Sequence, residues 1–239
     1  VNRKIPVLEI FGPTIQGEGM VLGRKTMFVR TAGCDYSCAW CDSAFTWDGS
    51  AKEEIRMMES EAVLTELKTI GGENFDHVTI SGGNPALLAS IGELIDLLHS
   101  QDMEVALETQ GSRWQDWFVK IDDLTISPKP PSSQMNTNWD MLDSIIARLQ
   151  KNHISLKVVV FDEKDMKYAE KVHQRYPDTP FFIQVGNEDL QEDQPDQLAL
   201  TLLKRYQWLI EKVMASEALN HVRVLPQVHA LVWGNKRGV

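Results

Sequence analysis

The sequence predicts an α/β fold, an incomplete (partial) TIM-like barrel of about six or seven βα units. Three observations predict it. Short apolar runs alternate with amphipathic stretches along most of the chain, which implies βαβ units and a parallel sheet. The 239 residues fall short of a complete eight-unit barrel of ~250 residues. Every chemically unusual segment directly follows a predicted strand, the edge where parallel sheets gather their reactive groups.

Taken in order, Val7-Leu8-Glu9-Ile10-Phe11 is the first apolar run, with Gly12-Pro13 expected to stop it. A glycine-rich turn follows at Gln16-Gly17-Glu18-Gly19. Residues 26–31 read as a buried strand ended by Ala32-Gly33. Residues 60–68 have helical apolar spacing, with Ser60 as the expected cap and Gly71-Gly72 as the stop. A strand at 77–81 runs into Gly82-Gly83, and 87–99 carries a helical face of Leu88, Ile91, Leu94, Ile95 and Leu98. Strands follow at 104–109 and 123–127, a helix at about 139–150, and a strand at 154–161. Then come a helix at 163–175, a strand at 181–185, a long helix at 198–214 and a last strand at 222–225.

The formal net charge of −10 argues against broad binding to nucleic-acid phosphates. Part of that charge lies in residues 187–196, which read as a solvated loop. No run of eighteen apolar residues indicates a membrane span. The start, Val1-Asn2-Arg3-Lys4-Ile5-Pro6, lacks the apolar region of a signal peptide, and the cysteine count is odd. A cytoplasmic protein of one domain, residues 1–239, is the expectation.

All the cysteines, Cys34, Cys38 and Cys41, lie in one loop with C-x3-C-x2-C spacing. Structural zinc usually takes four protein ligands, so a zinc-stapled binding module needs a distant fourth such as His229. A ferredoxin-type cluster takes four thiolates. Three thiolates suit a 4Fe–4S cluster with one iron open to an external ligand. This spacing, with aromatic Trp40 before the last cysteine, resembles the signature of the radical S-adenosylmethionine (SAM) enzymes. The resemblance implies a radical SAM core whose open iron chelates the methionine moiety of SAM and whose electron releases a 5′-deoxyadenosyl radical. Ser81-Gly82-Gly83-Asn84-Pro85 resembles the superfamily's Gly-Gly-Glu-Pro segment, with Asn84 where glutamate is usual. By the same resemblance Trp40, Asp42, Gly83, Glu108, Ser127, Pro128 and Lys129 face SAM.

Within the superfamily the chain is similar to the 7-carboxy-7-deazaguanine synthases of queuosine biosynthesis. The residues that carry this are Phe11-Gly12-Pro13-Thr14-Ile15-Gln16-Gly17-Glu18-Gly19, Phe28-Val29-Arg30, the cysteine loop with Asp42-Ser43, Ser81-Gly82-Gly83 and Ser127-Pro128-Lys129. The resemblance implies ring contraction of 6-carboxy-5,6,7,8-tetrahydropterin with loss of ammonia. It places Ile15, Gln16, Gly17, Glu18, Arg30, Ser81 and His229 against the pterin, and a tight Gly17–Gly19 loop over its ring. It implies magnesium on the Ser43 hydroxyl, with Asp42 able to hold a metal-bound water. It also implies closure of the pocket by residues of about 220–239, a homodimer, and a flavodoxin- or ferredoxin-type electron donor. A glycyl-radical-enzyme activase is the alternative within the superfamily, but the 16–19 loop and Asp42-Ser43 favour a small-molecule substrate.

Overall fold

The computed structural model describes residues 4–149 and 152–239. The first three residues of the sequence and the end expected for the 139–150 helix lie outside them. Nine strands form one sheet: β1 (Ile5–Ile15), β2 (Lys25–Thr31), β3 (Arg56–Met58), β4 (His77–Gly82), β5 (Glu104–Thr109), β6 (Asp123–Ile126), β7 (Ile154–Val160), β8 (Phe181–Val185) and β9 (Val222–Leu225). Their order is β3-β1-β2-β4-β5-β6-β7-β8-β9. From β2 to β9 all neighbours are parallel, so the expected run of βα units is present in an open sheet. β1 and β3 extend it with antiparallel pairings. The helices are α1 (Ser60–Gly71), α2 (Ile91–His99), α3 (Trp139–Arg148), α4 (Glu163–Arg175), α5 (Pro195–Met214) and α6 (Val228–Trp233). Among the described residues no helix is long and apolar enough to cross a membrane.

Strand periodicity decides what reaches the site. Side chains alternate between the two faces of a strand. Val105 and Leu107 of β5, Leu124 and Ile126 of β6, Leu156, Val158 and Val160 of β7, and Phe181, Ile183 and Val185 of β8 all enter one apolar core with α2, α3 and α4. The residues between them are therefore on the opposite, inner face: Glu108, Thr125, Ser155, Lys157 and Gln184. Ala106, Val159 and Phe182 share that face, and several of its polar groups pair with one another. Thr26 Oγ1 lies 3.0 Å from Thr79 Oγ1 and 2.7 Å from His77 Nδ1, and Ser155 Oγ donates to Thr125 Oγ1 at 3.4 Å. Burial lowers the pKa of His77 to about 4, which leaves a neutral ring in this network.

The structure departs from the sequence reading at several elements. β1 does not stop at Gly12-Pro13. Phe11 pairs with Phe28 and Thr14 with Thr26, so Gly12 and Pro13 together face Met27 in a β-bulge. The bulge removes the demand for a ladder N–H that proline cannot supply. Ser60 is the first helical residue of α1 rather than its cap, and Glu59 holds the cap position without a side-chain bond. The helix expected at 87–99 begins only at Ile91, after a 3-10 turn at Pro85–Leu87. Between β5 and β6 a 3-10 turn, Asp116–Lys120, buries Trp117 and Phe118 where a full helix would be usual. The short elements β3 and α6 were not expected.

The start of α4 also supports the rim. Asp162 Oδ1 caps it by accepting from the Lys164 and Asp165 N–H groups. Asp165 is fully buried, and its two oxygens accept from the Ser132 and Phe161 N–H groups, each at 3.0 Å. Asp165→Ala is expected to leave both donors unpartnered and to cost about 2–4 kcal/mol, measured as a loss in urea-unfolding free energy.

Candidate active site

Gly33 turns the chain out of β2 with a φ of +95°, a conformation that disfavours any side chain. The cysteine loop begins there and is stitched to the end of β4. Gly83 N–H donates to Thr31 O, Asn84 N–H to Gly33 O, and Gly33 N–H to Thr46 O. A side chain on Gly82 would collide with Thr31, and one on Gly83 with the Gly33 carbonyl and the Cys34 Cβ. These glycines let two backbones meet where the three thiols converge.

Cys34, Cys38 and Cys41 all line one cavity. Two of the sulfurs meet hydrogen-bond donors: Tyr36 N–H and Gln110 Nε2 reach Cys34 Sγ at 3.4 and 3.6 Å, and Trp47 Nε1 reaches Cys41 Sγ at 3.4 Å. Burial raises all three thiols, Cys38 up to about 11, so a metal centre has to displace their protons. Three sulfurs around one void, with N–H groups aimed at them, fit a cluster bound by three thiolates.

Asn84 is fully buried, and its amide is fully used. Its Nδ2 donates to Asp35 Oδ1 at 2.9 Å and to Ser112 Oγ at 3.0 Å. Its Oδ1 accepts from Thr109 Oγ1 at 2.8 Å and from Ala86 N–H at 3.2 Å. Gln110 Nε2 also donates to Asp35, at 2.7 Å. The residue at the position of the usual glutamate therefore ties the cysteine loop to the end of β5.

Trp40 forms a second part of the wall. Its Nε1 donates to Ser132 Oγ at 2.9 Å, its ring packs on Phe161 with centroids 4.8 Å apart, and Lys129 Nζ lies 5.7 Å from its centre. Gly186 has no room for a side chain because the Phe161 ring lies against it. Ser127 and Lys129 line the cavity, whereas Pro128 is buried behind them and does not.

The opposite wall carries the charge. Lys157, 3% exposed, places its ammonium 2.6 Å from Glu18 Oε2 and 3.3 Å from both oxygens of Glu108. Gln227 Nε2 donates to Glu18 Oε1 at 2.9 Å, and His229 Nε2 is 3.9 Å from the same oxygen. Burial alone would raise the Glu18 carboxyl, but Lys157 and His229 hold it well below the usual carboxylate range. Burial alone would lower Lys157, yet Glu108 and Glu18 keep it firmly protonated. Gly17 lines the cavity. It packs against His229, and its carbonyl accepts from Val228 N–H at the start of α6. Gly19 packs against Glu108 and Thr125. Ile15, Gln16 and Ser81 line the cavity beside them.

Arg30 joins this wall to the cysteine loop. Its Nε pairs with Glu9 Oε1 at 2.6 Å, and its Nη1 donates to Ser43 Oγ at 3.0 Å. Ser43 in turn donates to Asp42 Oδ1 at 2.9 Å. Ligand atoms of Glu18, Asp42 and His229 lie within 4.8 Å of one another, so hard donors for a cation gather at this corner.

Residues 28–175 match the radical SAM superfamily. A 7-carboxy-7-deazaguanine synthase from Bacillus cereus is 64% identical over 99% of this chain and 99% of its own. One from Bacillus subtilis is 62% identical over 99% of both. The chain belongs to the 7-carboxy-7-deazaguanine synthase family. The crystal structure of QueE from Escherichia coli shares the fold, with a TM-score of 0.70, 23% identity and 95% of each chain covered. As a radical SAM family, the 7-carboxy-7-deazaguanine synthases use a 4Fe–4S cluster and SAM, and three thiols lining one cavity suit such a cluster.

Lys157, Phe161 and Trp47 line the cavity but escaped sequence reasoning, whereas Gln110 and Gln227 lie in segments the sequence already sets at the rim and the pocket. Lys157 left a signal, a lone charge in the otherwise apolar Ile-Ser-Leu-Lys-Val-Val-Val strand. The loop at 187–196 also does more than meet solvent. Asn187 is buried and lines the cavity, and Asn235 Nδ2 donates to the carbonyls of Asp189 and Glu192.

Asn84→Ala strips partners from Asp35 and Thr109. It is expected to cost about 1–3 kcal/mol in urea unfolding and to lower the iron bound per chain after anaerobic reconstitution.

Proposed function

We propose that this chain converts 6-carboxy-5,6,7,8-tetrahydropterin to 7-carboxy-7-deazaguanine, releasing ammonia, as a ring-contracting lyase of queuosine biosynthesis. One observation carries the reading: in a chain so similar to named synthases, the three cysteines and the Glu18-His229 wall line a single cavity. Ammonia is the only small molecule lost, so the conversion involves no net oxidation. The hydrogen-abstracting chemistry is what the reduced cluster and SAM supply when bound.

The chain's own residues bind and orient. Cys34, Cys38 and Cys41 hold the cluster. Trp40, Asp42, Gly83, Glu108, Ser127 and Lys129 form the SAM side, with Pro128 packed behind them and Glu108 accepting from the ribose hydroxyls. Ile15, Gln16, Gly17, Glu18, Ser81 and His229 form the pterin side, where the Glu18 carboxylate accepts from the amino-amide edge. Arg30 gives a charge-assisted bond to the substrate carboxylate. The Ser43 hydroxyl would hold magnesium, with Asp42 holding a metal-bound water, and the ion would orient the substrate carboxylate. Residues 1–239 act as one radical SAM domain, and the segment of about 220–239 closes the pocket. The ion pairs of Arg237 with Glu9 and Glu54, each 2.8 Å, support that closure. The electron donor is of flavodoxin or ferredoxin type, and the working form is a homodimer.

Anaerobic reconstitution with iron and sulfide, followed by SAM, magnesium, a reductant and the pterin, should yield the deazaguanine. Its absence from a fully loaded protein sinks the reading. Cys38→Ala should lose the cluster's visible absorption, and an intact spectrum in that variant refutes the ligand assignment. Ser43→Ala should raise the magnesium needed for half-maximal turnover at least about tenfold. Turnover unaffected by a chelator removes magnesium from the scheme.

A further inference from the structure

Lys157 is an expensive residue to bury. An ammonium and two carboxylates lose hydration on the inner face of the sheet, and an apolar trio of similar volume often serves stability as well or better. The surrounding groups also remain short of donors. A carboxylate offers about four lone-pair positions, yet Glu108 receives hydrogen bonds only from Lys157 among the described residues. Gln227 Oε1 and Gln184 Oε1 are buried without a partner among the described residues. Gln227 is 6% exposed and lines the cavity, and Gln184 is fully buried. Gln184 Nε2 is unpartnered among the described residues too, but Glu18, Glu108 and Gln227 Oε1 give this wall of the cavity an excess of acceptors, held in place by one cation and suited to ligands that present N–H and O–H groups.

The two acids belong to different ligands in the reading given above, on which this inference rests. Glu18 meets the amino-amide edge of the pterin, and Glu108 meets the ribose hydroxyls of SAM. One ammonium touches both. We propose that Lys157 is a shared positioning residue, which aims Glu18 at the pterin and Glu108 at SAM through the same charge. Lys157 stays protonated despite its burial, as this role requires. Gln227 holds the other oxygen of Glu18 at 2.9 Å and keeps its own carbonyl free for a pterin N–H.

The test measures binding without turnover. Cluster-loaded protein with no reductant is titrated anaerobically with SAM and, separately, with 6-carboxy-5,6,7,8-tetrahydropterin. Glu18→Gln should weaken the pterin about tenfold and leave SAM within about twofold, while Glu108→Gln does the reverse. Lys157→Met should weaken both ligands about tenfold or more, because it leaves two buried carboxylates without their fixed partner. Should that variant lose its fold, judged by cluster content and thermal melting, Lys157→Met with Glu108→Gln restores the local charge balance. The pair should still bind the pterin about tenfold more weakly than Glu108→Gln alone. The proposal is overturned when Lys157→Met weakens one ligand only or neither, or when the pair binds the pterin as tightly as Glu108→Gln alone. A native protein that binds SAM but not the pterin rejects the functional reading itself. A native protein that binds both, with undiminished variants, rejects only the role of Lys157.

Discussion

The backbone of Gly83 lies against the carbonyl of Gly33 with no space for a side chain between them. The rest of the site depends on this contact. It brings the end of β4 against the start of the cysteine loop and fixes the loop to the rim rather than letting it swing in solvent. Asn84, the next residue, then reaches Asp35 inside the loop and Thr109 at the end of β5. Backbone proximity and one buried amide thus place the thiols relative to three parallel strands. Loose surface loops seldom achieve such precision unless neighbouring elements lock them.

Around this fixed corner the cavity separates two kinds of chemistry. Soft sulfur ligands, aromatic rings and sulfur-directed N–H groups gather on the cysteine side. Carboxylates, an ammonium and amide oxygens gather where the inner faces of β5, β7 and β8 meet the 16–19 loop. Hard and soft donors select different partners, so the two walls do not compete for one ligand. Arg30 and the Asp42-Ser43 pair stand at the seam.

Much of this was legible in the residues. β5, α4, β8 and β9 have the bounds their apolar runs and breakers announce, and the cysteine spacing declared a three-thiolate centre before any coordinates. The remainder is tertiary. A Gly-Pro pair usually ends a strand, and only the pairings on either side of Met27 reveal a bulge that lets β1 continue. β3 and α6 are too short to show a period. Asn84 looks like a lost acid until its four partners are seen. Lys157 and Gln184 sit inside the strands expected at 154–161 and 181–185, and a strand assignment alone does not say which of two faces meets a cavity.

Lys157 has one more effect, on how β7 finds its place. A strand that slips by one residue along its neighbours turns every side chain to the opposite face. For β7 such a slip would drive an ammonium into the packing of Leu156 and Val158 against α4 and turn those apolar groups toward the cavity. Five of the seven residues in this strand are Ile, Leu or Val, and hydrophobicity alone distinguishes its two faces poorly. The buried lysine supplies the asymmetry, so the charge that pairs with Glu18 and Glu108 also favours one register of the strand that carries it.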